Sequence, residues 1–471
     1  MTHMHVAGSI HADTIAPGPQ WLRVPEDVNA LLPALWSSTV SRGEDGVLQV
    51  GGLSVNEIAE RCGTPVYVLD EDDFHQRARA FVEAFSGWDV FYAGKAFLTT
   101  AVAGWAVADG LFVDCSTAGE LAVALRGGVS GERIGLHGNN KSEAEIEMAL
   151  DAEVGRIIVD SFDEIGRISR AAAVRGVRPR VMVRVTTGVE AHTHEYIATA
   201  HEDQKFGFSI ASGQALKALR TCEADPHMEL IGIHSHIGSQ IFETLGFEVA
   251  ARRIMALHAE VCREFGRQLP EMDLGGGFGI AYTSVDRPST PRELAQQLRA
   301  IVVEQARELA VDVPRMSIEP GRAIVGPTTM ALYRVGTVKQ VVVDGQSART
   351  YISVDGGMSD NIRPALYGAE YSATLAGRAS AAAPRLSRIV GKHCEGGDIL
   401  VRDEFMPADI IPGDLVAVPG AGAYTRSMAS NYNMVPRPPV VAVKDGKLHT
   451  LVRRETIEDL LGLDVGHDPV A

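Results

Sequence analysis

Between Trp88 and Glu319 one pattern recurs eight times: a short β-rich run ends in a small, polar or charged residue, and an amphipathic stretch follows. The runs are Asp89–Tyr92, Leu111–Asp114, Arg133–His137, Arg156–Asp160, Arg180–Val185, Leu230–His234, Glu271–Leu274 and Met316–Glu319. Between them lie segments such as Ala118–Arg126, Glu143–Leu150 and Glu164–Val174, whose apolar residues recur at three- and four-residue spacing. That spacing gives a helix one buried face. Short apolar strands alternating with helices predict a parallel sheet covered by helices. Eight such units in roughly 230–250 residues is the unit count of a (β/α)8 barrel. A doubly wound open sheet is the structural alternative, since closure is not visible in sequence. The glycine triplet at 275–277 does not form GxGxxG in a first βα turn, which weakens a dinucleotide-binding reading.

After Pro320 the pattern changes. Tyr333–Val343, Thr350–Val354, Ile399–Val401, Asp414–Val418 and Val440–Val443 are β-type, and helical periodicity is scarce until Glu455–Leu461. This predicts a mainly antiparallel β domain. Residues 47–69 are β-rich too and are expected to join it. The expected organisation is a flexible leader at 1–20, a barrel at 70–328, and a discontinuous β domain from 21–69 and 329–471. Ala376–Arg385 reads as an exposed loop.

Composition narrows the function. The charge of 44 − 60 = −16 argues against a general nucleic-acid binder, which needs a basic surface to meet phosphates. The five cysteines (62, 115, 222, 262 and 394) form no CxxC pair and no secreted disulfide framework. The first twenty residues lack a basic start and an apolar core, so they do not read as a signal peptide. No apolar run approaches the ~20 residues that span a bilayer. A cytoplasmic protein is expected.

In a barrel the C-terminal strand ends form the active face. Here they carry Lys95, Asp114, His137, the His234–Ser239 run, Gly275–Gly277 and Glu319–Arg322. A lone lysine is ordinarily a solvated surface group. Lys95, however, follows an apolar strand and precedes Ala96-Phe97-Leu98. Held against apolar surface, its amine would have a depressed pKa and could form a Schiff base with a carbonyl. Gly275, Gly276 and Gly277 could simply make a turn, but they would also let backbone N–H groups approach an anion. Gly321 and Ser239 would add donors, and barrel loops seven and eight are the usual phosphate site. The constellation favours a phosphorylated small molecule. His234 and His236, like His192 and His194, have HxH spacing, but no nearby third ligand at the usual spacing favours a metal. A histidine stacked on a flat cofactor, or a satisfied structural histidine, fits better.

Ten stretches then converge on one resemblance: FYAGKAF (91–97), DCSTAGEL (114–121), HGNNKS (137–142), KFGF (205–208), HSHIGSQ (234–240), LGGGFG (274–279), EPGR (319–322), VDGGMSDNIRPALY (354–367), HCEGGD (393–398) and GAGAYTRSMASNYN (420–433). In this order, across residues 50–435, they resemble the diaminopimelate decarboxylases. These are pyridoxal-phosphate (PLP) enzymes of the alanine-racemase-like, ornithine-decarboxylase-like barrel fold. The resemblance implies that Lys95 carries PLP covalently, that His236 stacks on the pyridine ring and that Glu319 pairs with the pyridinium nitrogen. Asp114 joins this cofactor set. Ser239, Gly277, Gly321 and Arg322 would hold the phosphate, and Tyr424 would reach the cofactor from the β domain. Cys394 would deliver a proton to Cα after decarboxylation, since a thiol with a pKa near ~8.5 is mostly protonated at neutral pH.

The implied reaction converts meso-2,6-diaminopimelate to L-lysine and carbon dioxide, the last step of lysine biosynthesis. The distal carboxylate of that substrate needs a cation, and arginine offers a bidentate fork. Arg322 and Arg363 are the candidates, with Tyr367 and Tyr424 as hydroxyl partners and Glu395 for the distal ammonium. Asp355 is a competing acidic residue that could meet an amine. The resemblance also implies a homodimer in which Cys394 and Glu395 complete the neighbouring subunit's site. Gly396 departs from the Cys-Glu-Ser often found in the family, which touches fine affinity only. An ornithine or arginine decarboxylase, a racemase with a second base opposite Lys95, and an inactive barrel that binds a partner protein are the alternatives. Residues 187–204 are long enough for a lid or an interface loop.

Overall fold

The computed structural model describes residues 18–188, 205–242, 245–342 and 348–466. The leader up to residue 17 and most of the 187–204 stretch, with His192 and His194, lie outside the described residues. The chain divides into two compact units. One comprises His75–Ile280 and Arg287–Ile324; the other comprises Met1–Phe74, Ala281–Asp286 and Val325–Ala471. The short Ala281–Asp286 segment thus groups with the β-rich unit although it falls inside the sequence range assigned to the barrel.

The first unit is a closed barrel. Its strands are β1 (Asp89–Ala93), β2 (Phe112–Cys115), β3 (Ile134–Leu136), β4 (Arg156–Val159), β5 (Arg180–Thr186), β6 (Glu229–Ser235), β7 (Glu271–Asp273) and β8 (Arg315–Ile318). Each pairs in parallel with the next, and β8 returns to β1 through Ser317↔Asp89 and Ile318↔Val90. The strands read as nearly continuous apolar runs because the sheet is covered on both faces. The helices between them begin at side-chain caps. Thr117, Ser161 and Ser142 each accept from the backbone N–H three residues on, and Ser142 forms a reciprocal capping box with Glu145.

The barrel interior is filled. Ile158, Met182 and Ile231 form a small buried cluster. Beside it Arg156 pairs with Asp273 and donates to Ser317 Oγ at 2.9 Å. Its guanidinium lies 3.6 Å from the Phe91 ring centroid. Ser317 and Glu319 are two residues apart, and so share a face in the strand direction. A bonded, charged layer therefore underlies the active end of the barrel.

The second unit is a mixed sheet, mostly antiparallel. Thr329–Val342 pairs antiparallel with Ala348–Val354, Leu415–Val418 and the N-terminal strand Val66–Asp70. Val66–Asp70 also pairs with Val440–Lys444, and Ala348–Val354 with Pro384–Val390, both in parallel. Leu48, Val50, Val66, Val68, Leu332, Val441 and Val443 share one hydrophobic core.

The expected exposed loop at Ala376–Arg385 is found in part: residues 376–383 form no helix or strand and Ala379, Ala381 and Ala383 are exposed, but the segment is anchored. Ala376 is buried and bonded through both backbone groups, to Leu415 and Leu48, each at 2.8 Å. Ser380 is buried too and bonds Asn29 and Asp409, while Pro384 and Arg385 begin a strand. Among the described residues no helix is long and apolar enough to cross a membrane.

Candidate active site

The strand ends of the barrel enclose a cavity of about 300 Å3 lined by Gly94, Lys95, Asp114, Ser116, His137, Gly138, Asn139, Arg184, Phe206, His234, His236 and Glu319. That volume suits a small molecule. Of the sequence candidates, Lys95, Asp114, His236 and Glu319 meet here. Lys95 sits on the single turn Gly94–Ala96 directly after β1. The expectation that it is pressed against apolar surface is corrected: Gly94 and Ala96 are buried, but Lys95 is exposed. Its fitness to meet a carbonyl rests on access.

Glu319 follows β8 and is buried. Burial, then the neighbouring Asp114 carboxylate, pushes its carboxyl above the ordinary range, while His137, Arg156 and Lys95 oppose that push. His234 Nε2 lies within hydrogen-bond distance of Glu319 Oε1, at 2.9 Å. Burial holds the His234 ring well below its usual pKa, and hence neutral. His137 Nε2 lies 3.4 Å from the same oxygen, and burial lowers His137 to about 4. His137, His234 and Glu319 present ligand atoms within 4.8 Å of one another. The His234–Glu319 hydrogen bond accounts for most of that closeness without a cation.

Asp114 is the next-to-last residue of β2 and lies close to His137. Both of its carboxylate oxygens are buried without a hydrogen-bond partner, although His137 Nε2 approaches Oδ1 to 3.1 Å. Burial raises its pKa well above the usual value. His236 is likewise held well below its usual pKa, by burial first and by Lys95 second. The Gly276 N–H donates to His236 Nδ1 at 3.1 Å, so the neutral ring carries its proton on Nε2. That bond also fixes the ring plane.

The glycine loop cannot carry side chains. A Cβ on Gly275 would meet Ser235 O at 2.3 Å, one on Gly276 would meet Glu319 O at 2.3 Å, and one on Gly277 would meet Gly238 O at 2.6 Å. Gly321 is similarly close to Ala93 O, at 2.8 Å. Arg322 donates to Ser239 Oγ at 2.8 Å, tying the eighth loop to the sixth. Four glycines in close-packed loops, an unsatisfied carboxylate and an accessible lysine beside a neutral ring fit a flat, phosphate-bearing aldehyde.

The remaining candidates belong to the β-rich unit. Arg363 is buried and donates through Nη1 to Tyr282 (2.8 Å) and Tyr371 (2.5 Å). Tyr367 closes the short helix Arg363–Tyr367. Tyr424 adopts a positive φ of 58°, which for a tyrosine requires support from its surroundings. Cys394 is exposed, and its loop is braced from below. His393 bonds Asn433 (2.9 Å) and Ser359 (2.8 Å), while Asp398 accepts the N–H groups of Met358 (2.6 Å) and His393 (2.7 Å). Glu395 accepts from the Tyr432 hydroxyl at 2.6 Å. Asp355 accepts from Thr64 Oγ1 (2.5 Å) and the Arg334 N–H (2.9 Å).

His137 and His234, expected at the active strand ends, do line the cavity, but sequence reasoning missed Arg184. Arg184 left a signal, a charge inside the apolar run RVMVRV, and it stacks over the Phe206 ring at 4.4 Å.

Residues 71–326 match the family described as pyridoxal-dependent decarboxylase, pyridoxal binding domain. The chain is 52% identical over 440 residues to a diaminopimelate decarboxylase of Mycobacterium tuberculosis, covering 92% of this chain and 98% of that one. It is 49% identical over 470 residues to the Mycobacterium leprae enzyme of the same name, covering 98% and 100%. The crystal structure of diaminopimelate decarboxylase from M. jannaschii with L-lysine superposes with a TM-score of 0.85 at 30% identity, covering 92% of this chain and 99% of that one.

Proposed function

The chain belongs to the diaminopimelate decarboxylase family, and from that membership we propose that it converts meso-2,6-diaminopimelate to L-lysine and carbon dioxide with PLP. The observation that carries the reading is the cavity that joins an accessible Lys95 to Glu319, Asp114 and His236. Bound PLP supplies a protonated ring that takes up the electron pair left when the Cα carboxylate departs.

The chain's own groups do the rest. Lys95 would hold the cofactor through its accessible side-chain amine. Glu319 would pair with a protonated ring nitrogen, and that cation would offset the burial that raises its pKa. The neutral His236 ring, held by the Gly276 N–H, would stack on the cofactor ring. Ser239 through its hydroxyl and Gly277, Gly321 and Arg322 through backbone N–H groups would hold the phosphate, and Tyr424 would add a hydroxyl toward the cofactor. Arg322 and Arg363 bind the distal carboxylate with Tyr367, and Glu395 meets the distal ammonium. Two phenols hold the Arg363 fork, which favours a fixed, directional carboxylate contact.

Cys394 is assigned the proton delivered to Cα. Its exposure on a braced loop supports a role completed by a second copy, so the proposed assembly is a homodimer with shared sites. The five unpaired cysteines support a reducing compartment, and the cytoplasm is proposed as the place of action. The cofactor reading is tested by absorbance. The purified chain should show a near-ultraviolet to visible cofactor band that Lys95→Ala abolishes. A colourless chain that PLP cannot reconstitute would contradict it.

A further inference from the structure

Lys141 lies in the HGNNKS stretch, yet no step above uses it. Its side chain is 1% exposed, an unusual place for an ammonium. Nζ donates to Gly138 O at 2.8 Å, Ile158 O at 2.6 Å and Glu164 Oε1 at 2.8 Å. Three acceptors call for three N–H donors, which only the charged form provides. No lone pair remains, so Lys141 is not a second nucleophile.

The acceptors matter for where they lead. Gly138 follows β3 and lines the cavity, Ile158 lies in β4, and Glu164 stands in the first turn of the helix Phe162–Arg175. Glu164 Oε1 also accepts from the Asp160 N–H at 3.3 Å. Asp160 Oδ1 accepts from the Gly207 N–H at 3.1 Å and faces Arg184 Nε at 3.8 Å. Arg184 and its stacking partner Phe206 are cavity residues. A buried chain of charge thus runs behind three successive strand ends and emerges in the cavity wall at both extremities.

We infer that Lys141 is a positioning residue for the cofactor: the Lys141–Glu164–Asp160 chain sets the cavity wall formed by Gly138, Arg184 and Phe206. The inference rests on the reading of this cavity as the PLP site. Binding is tightest when the groups around a ligand are held in place beforehand. Losing the brace should therefore loosen the cofactor and leave the strands paired.

The experiment dilutes the holoenzyme and follows cofactor retention by absorbance. It compares the parent with Lys141→Met, which keeps an unbranched apolar stem and removes the donors. The expected result is an apparent PLP dissociation constant raised at least tenfold, with an unchanged far-ultraviolet circular dichroism spectrum. Arg349→Met is the control for a structural role. It breaks a comparably buried ion pair, Arg349–Asp403 (3.3 Å), in the other unit, and should lower the melting temperature with PLP retention unchanged. Lys141→Met that melts early like this control, yet retains PLP like the parent, would overturn the inference. Should Lys141→Met not fold, Glu164→Gln keeps an acceptor of the same size without the charge. Weaker retention there supports the chain, and parent-like retention overturns it. A parent that binds no PLP would overturn the cofactor reading and this inference with it.

Discussion

Asp360 shows how a single carboxyl makes this fold depend on pH. It is buried in the β-rich unit, and its Oδ2 accepts the Gly357 N–H at 2.9 Å. Burial is the largest influence and lifts its pKa to about 7, with Asp355 and Asp398 adding to the push and the Gly357 bond opposing it. In the unfolded chain an aspartate titrates near ~3.9. Between those values the folded chain holds a proton that the unfolded chain has released. Stability therefore falls as pH rises through this window, by up to about 1.4 kcal/mol per unit, and is level above about 7. Asp360→Asn should remove that part of the slope in denaturant titrations at pH 4.5 and 7. Glu404, also lifted to about 7 by burial, contributes a slope of the same sign that remains. An unchanged pH dependence in Asp360→Asn would refute the assignment.

At the scale of elements, the barrel strands were legible because both faces are covered and the runs are almost wholly apolar. The run Asp89–Tyr92 lengthens by one residue, and Arg133–His137 shortens to Ile134–Leu136. His137 lies just past the strand, with its ring near Asp114 and Glu319. Pro384–Val390 was not legible as a strand: it opens with proline and carries Arg385, Ser387 and Arg388. Its partners make it a strand, with parallel pairing to Ala348–Val354 and antiparallel pairing to Ile399–Pro407. The site was legible where one residue type at a strand end implies its chemistry, as with Lys95 and Glu319. It was illegible where a role depends on contacts distant in sequence. The Lys141–Glu164 pair spans 23 positions, and the hydrogen bond from Thr64 to Asp355 spans 291. Access at Lys95 likewise depends on the whole barrel mouth.

For the whole molecule, the proposal of shared sites makes a stoichiometric prediction. Lys95→Ala chains and Cys394→Ala chains are each expected to be nearly inactive. Randomly mixed, half of the dimers should contain one of each and one intact site, restoring about a quarter of full activity. No recovery from verified mixed dimers would exclude sharing. The central claim is chemical and has a more direct test. The PLP-loaded chain is given meso-2,6-diaminopimelate, ornithine, arginine and lysine in parallel, and carbon dioxide release and amino-acid product are measured. The account predicts a kcat/KM for diaminopimelate at least a hundredfold above the others, with one L-lysine formed per carbon dioxide. A preference for ornithine, or no carbon dioxide from diaminopimelate, would contradict it.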